Sequence, residues 1–433
     1  VPEHADVLTA VPQVAGGSGL RNQYAYENDR IGCLTAWSKR YGDVFGYGPA
    51  TVVVNHPDLI HQVLARTNRE FSATVPMVEH QQTAAENLDA WMRGRRQGGR
   101  GIHPDLIAQC DDRLDRALAT AVTALPARGM DLAAACERIC GRAIIDVCLG
   151  GEAPAFYERT ARASDDILAV SRTLDTPPWG AKRRYRRAVA AERDLTARLG
   201  GVLERLRARP GDPPRTSLVD ALLAHPDRLP DQVITAVLRV TLIGGHGTPG
   251  TALAWCVREM SQRPELLARL SDEARAAPAP AAAADLPYTT AFVKEMLRFY
   301  PPTWLLARDV AEPVALCGRR LEPGQRVLFS PYLLHHDERW WDTPAEIRPE
   351  RWLGEEKPFA PHAYFPFGAG PRVCVGSLLG LTVLVRAVAL LAKGFELDVD
   401  GPADAAPRPD ILLAPPRSRV RYVALTSRNA GRE

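Results

Sequence analysis

The sequence predicts a mainly α-helical protein with a small β region, and three observations carry that expectation. From about residue 104 to residue 300, apolar side chains recur at helical spacing, interrupted near 175–179 and 209–214 by clusters of proline, glycine and aspartate. Asp231, directly after Pro230, opens a long run carrying Val233, Ile234, Val237, Leu238 and Val240, apolar around enough of its circumference to be a buried helix. Patterns of β type are few and short, at 42–55, 314–317 and 326–330.

Taken in order, residues 42–55 read as two short strands with a glycine turn, within an N-terminal β-rich part of about 42–75. His56 Pro57 then opens a helix, since proline suits a first helical turn. The helical core is expected over about 85–300. The Ala- and Pro-rich run 274–286 reads as a surface connection, helix resumes at Tyr288, and Pro301 Pro302 end it. Beyond a glycine-rich loop at 365–376, a C-terminal helix and strands fill 377–424. No internal repeat is present.

Composition narrows the function classes. The formal charge of +3 is too small to argue for nucleic acid, and no interleaving of arginine with aromatics suggests a grip on single strands. Eight cysteines are scattered without zinc-type spacing or the density of a secreted scaffold, which points to a reducing, cytoplasmic setting. Cys136 and Cys140 lie four apart in a helical pattern, but apolar neighbours and the lack of a companion histidine favour core packing over metal binding. No run approaches 18 uninterrupted apolar residues, and the opening Val1 Pro2 Glu3 His4 is unlike a signal peptide, so no membrane anchor is expected in the chain given. Arginine outnumbers lysine 49 to 5, so a lone arginine is by default a solvent-facing one.

The chemistry is concentrated in Phe365 Pro366 Phe367 Gly368 Ala369 Gly370 Pro371 Arg372 Val373 Cys374 Val375 Gly376, which delivers a cysteine just before an apolar helix. Backbone N–H groups at a helix N-terminus stabilise negative charge, so a thiol held there is biased toward thiolate, the form that binds metal. The spacing Phe-x-x-Gly-x-x-x-Cys-x-Gly resembles the haem-binding loop of the cytochrome P450 family. That resemblance places Cys374 as the ligand of iron in haem b, with Phe367, Gly368 and Gly376 shaping the loop. It extends over about residues 35–424 and implies a single domain over 1–433, with the long helix lying over the haem.

Further positions follow from the same resemblance. Glu295 and Arg298, three apart on a helix, with Arg351 of Ile347 Arg348 Pro349 Glu350 Arg351 Trp352, correspond to a buried ionic triad that braces the segment leading to Cys374. Haem propionates call for rigid charged donors, and Trp91 with Arg95, Arg308 and Arg372 occupy matching positions. Substrate would lie against Val75, Met77, Ile243, Gly244, Trp304 and Leu305, with Leu412 and Leu413 beside them. This mostly apolar wall suits a terpenoid or polyketide-like molecule.

Gly244 Gly245 His246 Gly247 Thr248 Pro249 Gly250 Thr251 carries the family's threonine at Thr248, but Gly247 stands where an acid is usual. Oxygen activation consumes protons, and a hydroxyl with an ordered water can relay them. His246 is a second donor candidate, unless it faces the protein on the far side of the helix. Four glycines and Pro249 weaken this stretch by roughly 1 kcal/mol per Gly and 3 for Pro, which predicts a locally widened helix or a hinge between two helices. Electrons are expected from a ferredoxin and its reductase, docking on Arg93, Arg96 and Arg100. The missing acid leaves open desaturation, coupling or rearrangement in place of hydroxylation, and a haem protein without turnover remains the reading from another class.

Overall fold

The computed structural model describes residues 11–17, 19–48, 50–73, 88–126, 129–171, 178–209, 216–224, 229–316, 318–402 and 405–425. The chain forms two compact units, each assembled from two separated stretches: Val1–Thr74 with Leu297–Cys374, and Val75–Met296 with Val375–Glu433.

The first unit is built on a five-stranded sheet in the order Val44–Gly46, Thr51–Val54, Arg326–Phe329, Leu306–Val310, Phe71–Ser72. All neighbours are antiparallel except Thr51–Val54 with Arg326–Phe329, which run parallel with Val52 opposite Val327. β-branched residues fill the pleat, and Val52, Val54, Val310, Val327 and Phe329 are buried. The helix Pro57–Ala65 begins as its sequence requires, with proline in the first turn and the His56 side chain accepting from the Asp58 N–H. Its Ile60, Val63 and Leu64 join those strand residues, Leu334 and Phe365 in one cluster. Each such side chain is worth about 1.5–3 kcal/mol of burial. A small hairpin pairs Val314–Leu316 with Arg319–Leu321.

The second unit is helical. Its longest element is Asp231–Gln262, 32 residues that start where Pro230 and Asp231 predict. The helix is continuous, and residues 244–250 remain α-helical through Pro249. The expected widening or hinge is therefore not what this stretch adopts, and packing supplies the reason. A Cβ on Gly245 would stand 2.6 Å from Cγ2 of Ile144, and one on Gly250 would stand 2.6 Å from the Cα of Glu137, both on the helix Leu132–Leu149. In return, a Cβ on Gly141 would meet Nδ1 of His246 at 2.3 Å. Leu88–Gly101 approaches in the same way, with Gly94 against Val233 and Gly98 against Val237. Intrinsic weakness in the helix is offset by backbone-close contact with its neighbours.

Pro264–Ala276 extends three residues into the stretch expected as a connection, and helix returns at Pro287–Phe299. Ser377–Gly394 is the one described helix long and apolar enough to cross a membrane. Most of it is buried in its own unit, where Arg386 pairs with Asp111 at 2.6 Å and Asp115 at 3.0 Å. Met130–Asp131, Arg419–Ala424 and Phe395–Val399 form a three-stranded antiparallel sheet.

Candidate functional site

Cys374 closes the first unit's irregular segment, and its side chain is exposed. Short backbone bonds shape the loop: Gly368 N–H donates to the Phe365 carbonyl at 2.9 Å, and Cys374 N–H to the Phe367 carbonyl at 2.9 Å. Gly368 and Gly370 both lie in the left-handed region, at φ 71° and 68°. Gly370 has no substitute on a second count, because a Cβ there would fall 2.2 Å from the Leu64 carbonyl oxygen. The cysteine is thus held by main-chain geometry that glycine alone permits.

Beside the loop the same unit gathers cationic charge. Arg308 is only 8% exposed; its Nε donates to Thr67 Oγ1 at 3.0 Å and one terminal nitrogen donates to the Ala307 carbonyl at 2.7 Å. Burial, and then the neighbouring Arg372 guanidinium, lower its pKa to about 10. Arg372 in turn donates from Nε to Asn68 Oδ1 at 2.9 Å. Among the described residues no carboxylate pairs with Arg308. A guanidinium buried as deeply as that of Arg308, with no described carboxylate beside it, is suited to take an anion.

The frame behind the loop is also charged. Glu295 and Arg298 are fully buried and Arg351 nearly so. The Arg298 guanidinium donates to the carbonyls of His335, Pro344 and Glu346 at 2.8–2.9 Å. Arg351 donates to those of Asp342, Thr343 and Glu346. Both arginines therefore tie the turn 342–346 to the elements that carry them. Trp304 is buried, its carbonyl accepting from Ser330 Oγ, while Leu305 is half-buried.

In the second unit Ile243, Gly244, Gly247 and Thr248 lie along the long helix. Gly244 faces open space, since nothing lies within 4 Å of a Cβ built on it. A Cβ on Gly247 would make ordinary contacts with Leu168 and Leu412 at 3.5 Å and with Ser164 Oγ at 3.7 Å. The position of the usual acid thus has apolar neighbours and one hydroxyl. Thr248 is half-buried. Leu412 stands over Gly247, whereas Leu413 is a core residue whose carbonyl accepts from the Trp255 indole at 2.7 Å.

His246 takes the packing orientation of the two set out above. Its ring rests against Gly141 and borders a cavity of about 300 Å³ lined in part by Glu137, Arg138, Tyr157 and Glu158. Burial lowers its pKa to about 4, so it is neutral near pH 7. Cys136 and Cys140 are buried thiols, Cys136 pushed up to about 12 by desolvation, as core packing requires. Arg93, Arg96 and Arg100 are exposed on the face of Leu88–Gly101 away from Gly94 and Gly98, and Arg95 is half-buried between them. Gly376 is the N-cap of Ser377–Gly394. Val75, Met77 and the Trp91 side chain lie outside the described residues.

Thr67 and Asn68 hold the two arginines, yet sequence reasoning passed over them. Asn68 sits at φ 73°, a conformation asparagine tolerates better than most, and that is the sole local hint. Its partner lies 304 residues away.

Comparison with known proteins gives a concordant result. The family model described as Cytochrome P450 matches residues 20–421. Cyclooctatin synthase of Streptomyces melanosporofaciens is 30% identical over 84% of this chain and 85% of its own length. Cyclooctat-9-en-7-ol 5-monooxygenase of the same organism is 32% identical over 58% of this chain and 54% of its own length. Pentalenene oxygenase of Streptomyces avermitilis is 31% identical over 62% of this chain and 63% of its own length.

Proposed function

The chain belongs to the cytochrome P450 family, and on that premise we propose that it is a cytoplasmic haem-thiolate monooxygenase oxidising a terpenoid or polyketide-like molecule with electrons from ferredoxin and its reductase. The family brings a haem-iron cofactor, O₂, an external electron donor and a hydrophobic substrate. The observation that carries the finer reading is the buried Arg308, with no described carboxylate partner, in the unit that also exposes the Cys374 thiol. A soft metal ligand and a buried guanidinium suited to an anion are donors of the kind that an iron porphyrin with propionates calls for.

In this reading Cys374 ligates the iron of haem b, Arg308 and Arg372 bind propionate, and Arg95 with Trp91 adds donors. When bound, the haem supplies the oxygen-activating chemistry. Ile243 and Gly244 exclude water and orient an apolar substrate, as does Leu305. The Thr248 hydroxyl would hold an ordered water and serve as a proton relay from the long helix. Exposed Arg93, Arg96 and Arg100 offer a basic docking surface to an acidic ferredoxin. Relatives named for oxygenating pentalenene and cyclooctat-9-en-7-ol support a hydrophobic metabolite as substrate.

The surroundings of Gly247 favour a second reading of the reaction type. With Leu168 and Leu412 where an acid would project, protons must come from water or from the substrate. Desaturation, coupling or rearrangement, in which oxygen need not be retained, then competes with hydroxylation. Substrate-dependent NAD(P)H consumption by holoprotein reconstituted with ferredoxin and its reductase, with product masses read in ¹⁸O₂, tests both. A product carrying ¹⁸O supports hydroxylation. An oxidised product without it supports the second reading, and no consumption with any binding molecule supports a haem protein without turnover.

A further inference from the structure

We infer that His335 is a positioning residue for the loop that presents Cys374, acting through one fixed tautomer of its imidazole. His335 ends the short helix Pro331–His335 and is fully buried. Its Nδ1 lies 3.1 Å from the Arg298 carbonyl oxygen, which can only accept, so Nδ1 carries the proton. Nε2 then bears the lone pair, and it accepts from the Phe365 N–H at 3.3 Å. Only the neutral, Nδ1-protonated ring makes both bonds. Burial pushes the ring's basicity well below the usual histidine range, and the His336 ring and the Arg298 guanidinium act in the same direction.

The bonds continue to the cysteine. From Phe365 the carbonyl accepts from Gly368 N–H, and after Phe367 its carbonyl accepts from Cys374 N–H, each at 2.9 Å. At the other end His335 is anchored twice, because its own carbonyl accepts from the Arg298 guanidinium at 2.9 Å. Tyr364, Phe365 and Trp341 surround the ring with centroids at 5.3, 5.7 and 6.0 Å, so its orientation is fixed by packing as well as by hydrogen bonds. Phe365 opens a stretch with no regular helix or strand up to the single turn Gly370–Arg372, so its buried N–H has no ladder to join. The imidazole is the acceptor that fixes where the loop departs.

This inference rests on Cys374 being the iron ligand, and the test separates the two. In holoprotein, His335→Phe keeps a ring and loses both bonds, while His335→Gln keeps a carbonyl able to accept from Phe365. Amide hydrogen exchange is read at Phe365, Gly368 and Cys374 against Val327 and Phe329 of the sheet, together with the thiolate-type band of the reduced CO complex. For His335→Phe, exchange in the loop should rise about tenfold more than in the sheet, and the thiolate band should shrink. His335→Gln should restore both. A uniform rise across loop and sheet, or loop exchange left at the wild-type rate, overturns the inference and leaves His335 a core filler. Should His335→Phe fail to fold, nitrogen NMR of the wild-type ring decides: an Nδ1–H tautomer supports the inference and an Nε2–H tautomer overturns it. Cys374→Ser should abolish the thiolate band while leaving loop exchange unchanged; a wild-type protein lacking that band sinks the ligand assignment and not the His335 bonds.

Discussion

Replacing Gly250 by alanine separates two opposing effects in one methyl group. In a free helix the change is favourable by about 1 kcal/mol. Here the added Cβ would stand 2.6 Å from the Cα and 2.8 Å from the backbone nitrogen of Glu137, main-chain atoms of a packed helix that cannot swing aside. Overpacking of a filled interface costs about 1–3 kcal/mol, and a backbone clash belongs near the upper end. The net expectation is a loss of about 1–2 kcal/mol. Gly244→Ala is the control on the same helix, for it meets open space and should gain up to about 1 kcal/mol. Urea denaturation of the two holoprotein variants, followed by far-ultraviolet circular dichroism, should place their midpoints on opposite sides of wild type, about 2–3 kcal/mol apart at similar slope. If Gly250→Ala is stabilised as much as Gly244→Ala, the two helices do not meet at backbone distance and the explanation of these glycines is wrong.

Other expectations follow from the same geometry. Arg298→Ala should cost about 3 kcal/mol or more, because the buried His335 carbonyl and the part-buried carbonyls of Pro344 and Glu346 lose a charged donor, and thermal scans with haem titration should show lower stability and incomplete loading. His246 titrates near 4 folded and near the ordinary 6.5 unfolded, so on acidification the unfolded chain takes the proton first. Stability should fall by about 3 kcal/mol between pH 6.5 and 4, and His246→Phe should flatten that limb in pH-dependent urea titrations, with His335 unchanged in both proteins. Arg372→Gln should relieve the repulsion on Arg308 and weaken haem retention at the same time, read as faster transfer of haem to an acceptor protein; retention as firm as wild type would remove Arg372 from the propionate site. The Cβ of Gly247→Asp would meet only ordinary contacts, and the variant should raise the share of electrons appearing in product, measured as product formed per NAD(P)H; an unchanged ratio would mean that another group already supplies protons.

Much of the fold was legible because local chemistry and burial agree. Pro230 and Asp231 fix the start of the long helix, His56 and Pro57 that of Pro57–Ala65, and the β-branched run Thr51–Val54 makes a strand. The cysteine loop is legible for a different reason: Gly368 and Gly370 are demanded by backbone conformation, so their spacing to Cys374 is visible in one dimension. The glycines of the long helix misled because composition records lost helix propensity and not the neighbour that compensates it. Ile144 and Glu137, which explain Gly245 and Gly250, are about a hundred residues upstream. Thr67 and Asn68 were invisible for the same reason, as was His335, whose acceptor role depends on Phe365 thirty residues on.

The reduced CO complex of the purified protein tests the assignment of Cys374 most directly. Wild type should give the red-shifted band of thiolate ligation at one haem per chain, and Cys374→Ser should lose that band. A protein that binds haem but shows no such band, or a Cys374→Ser variant that retains it, would contradict the assignment.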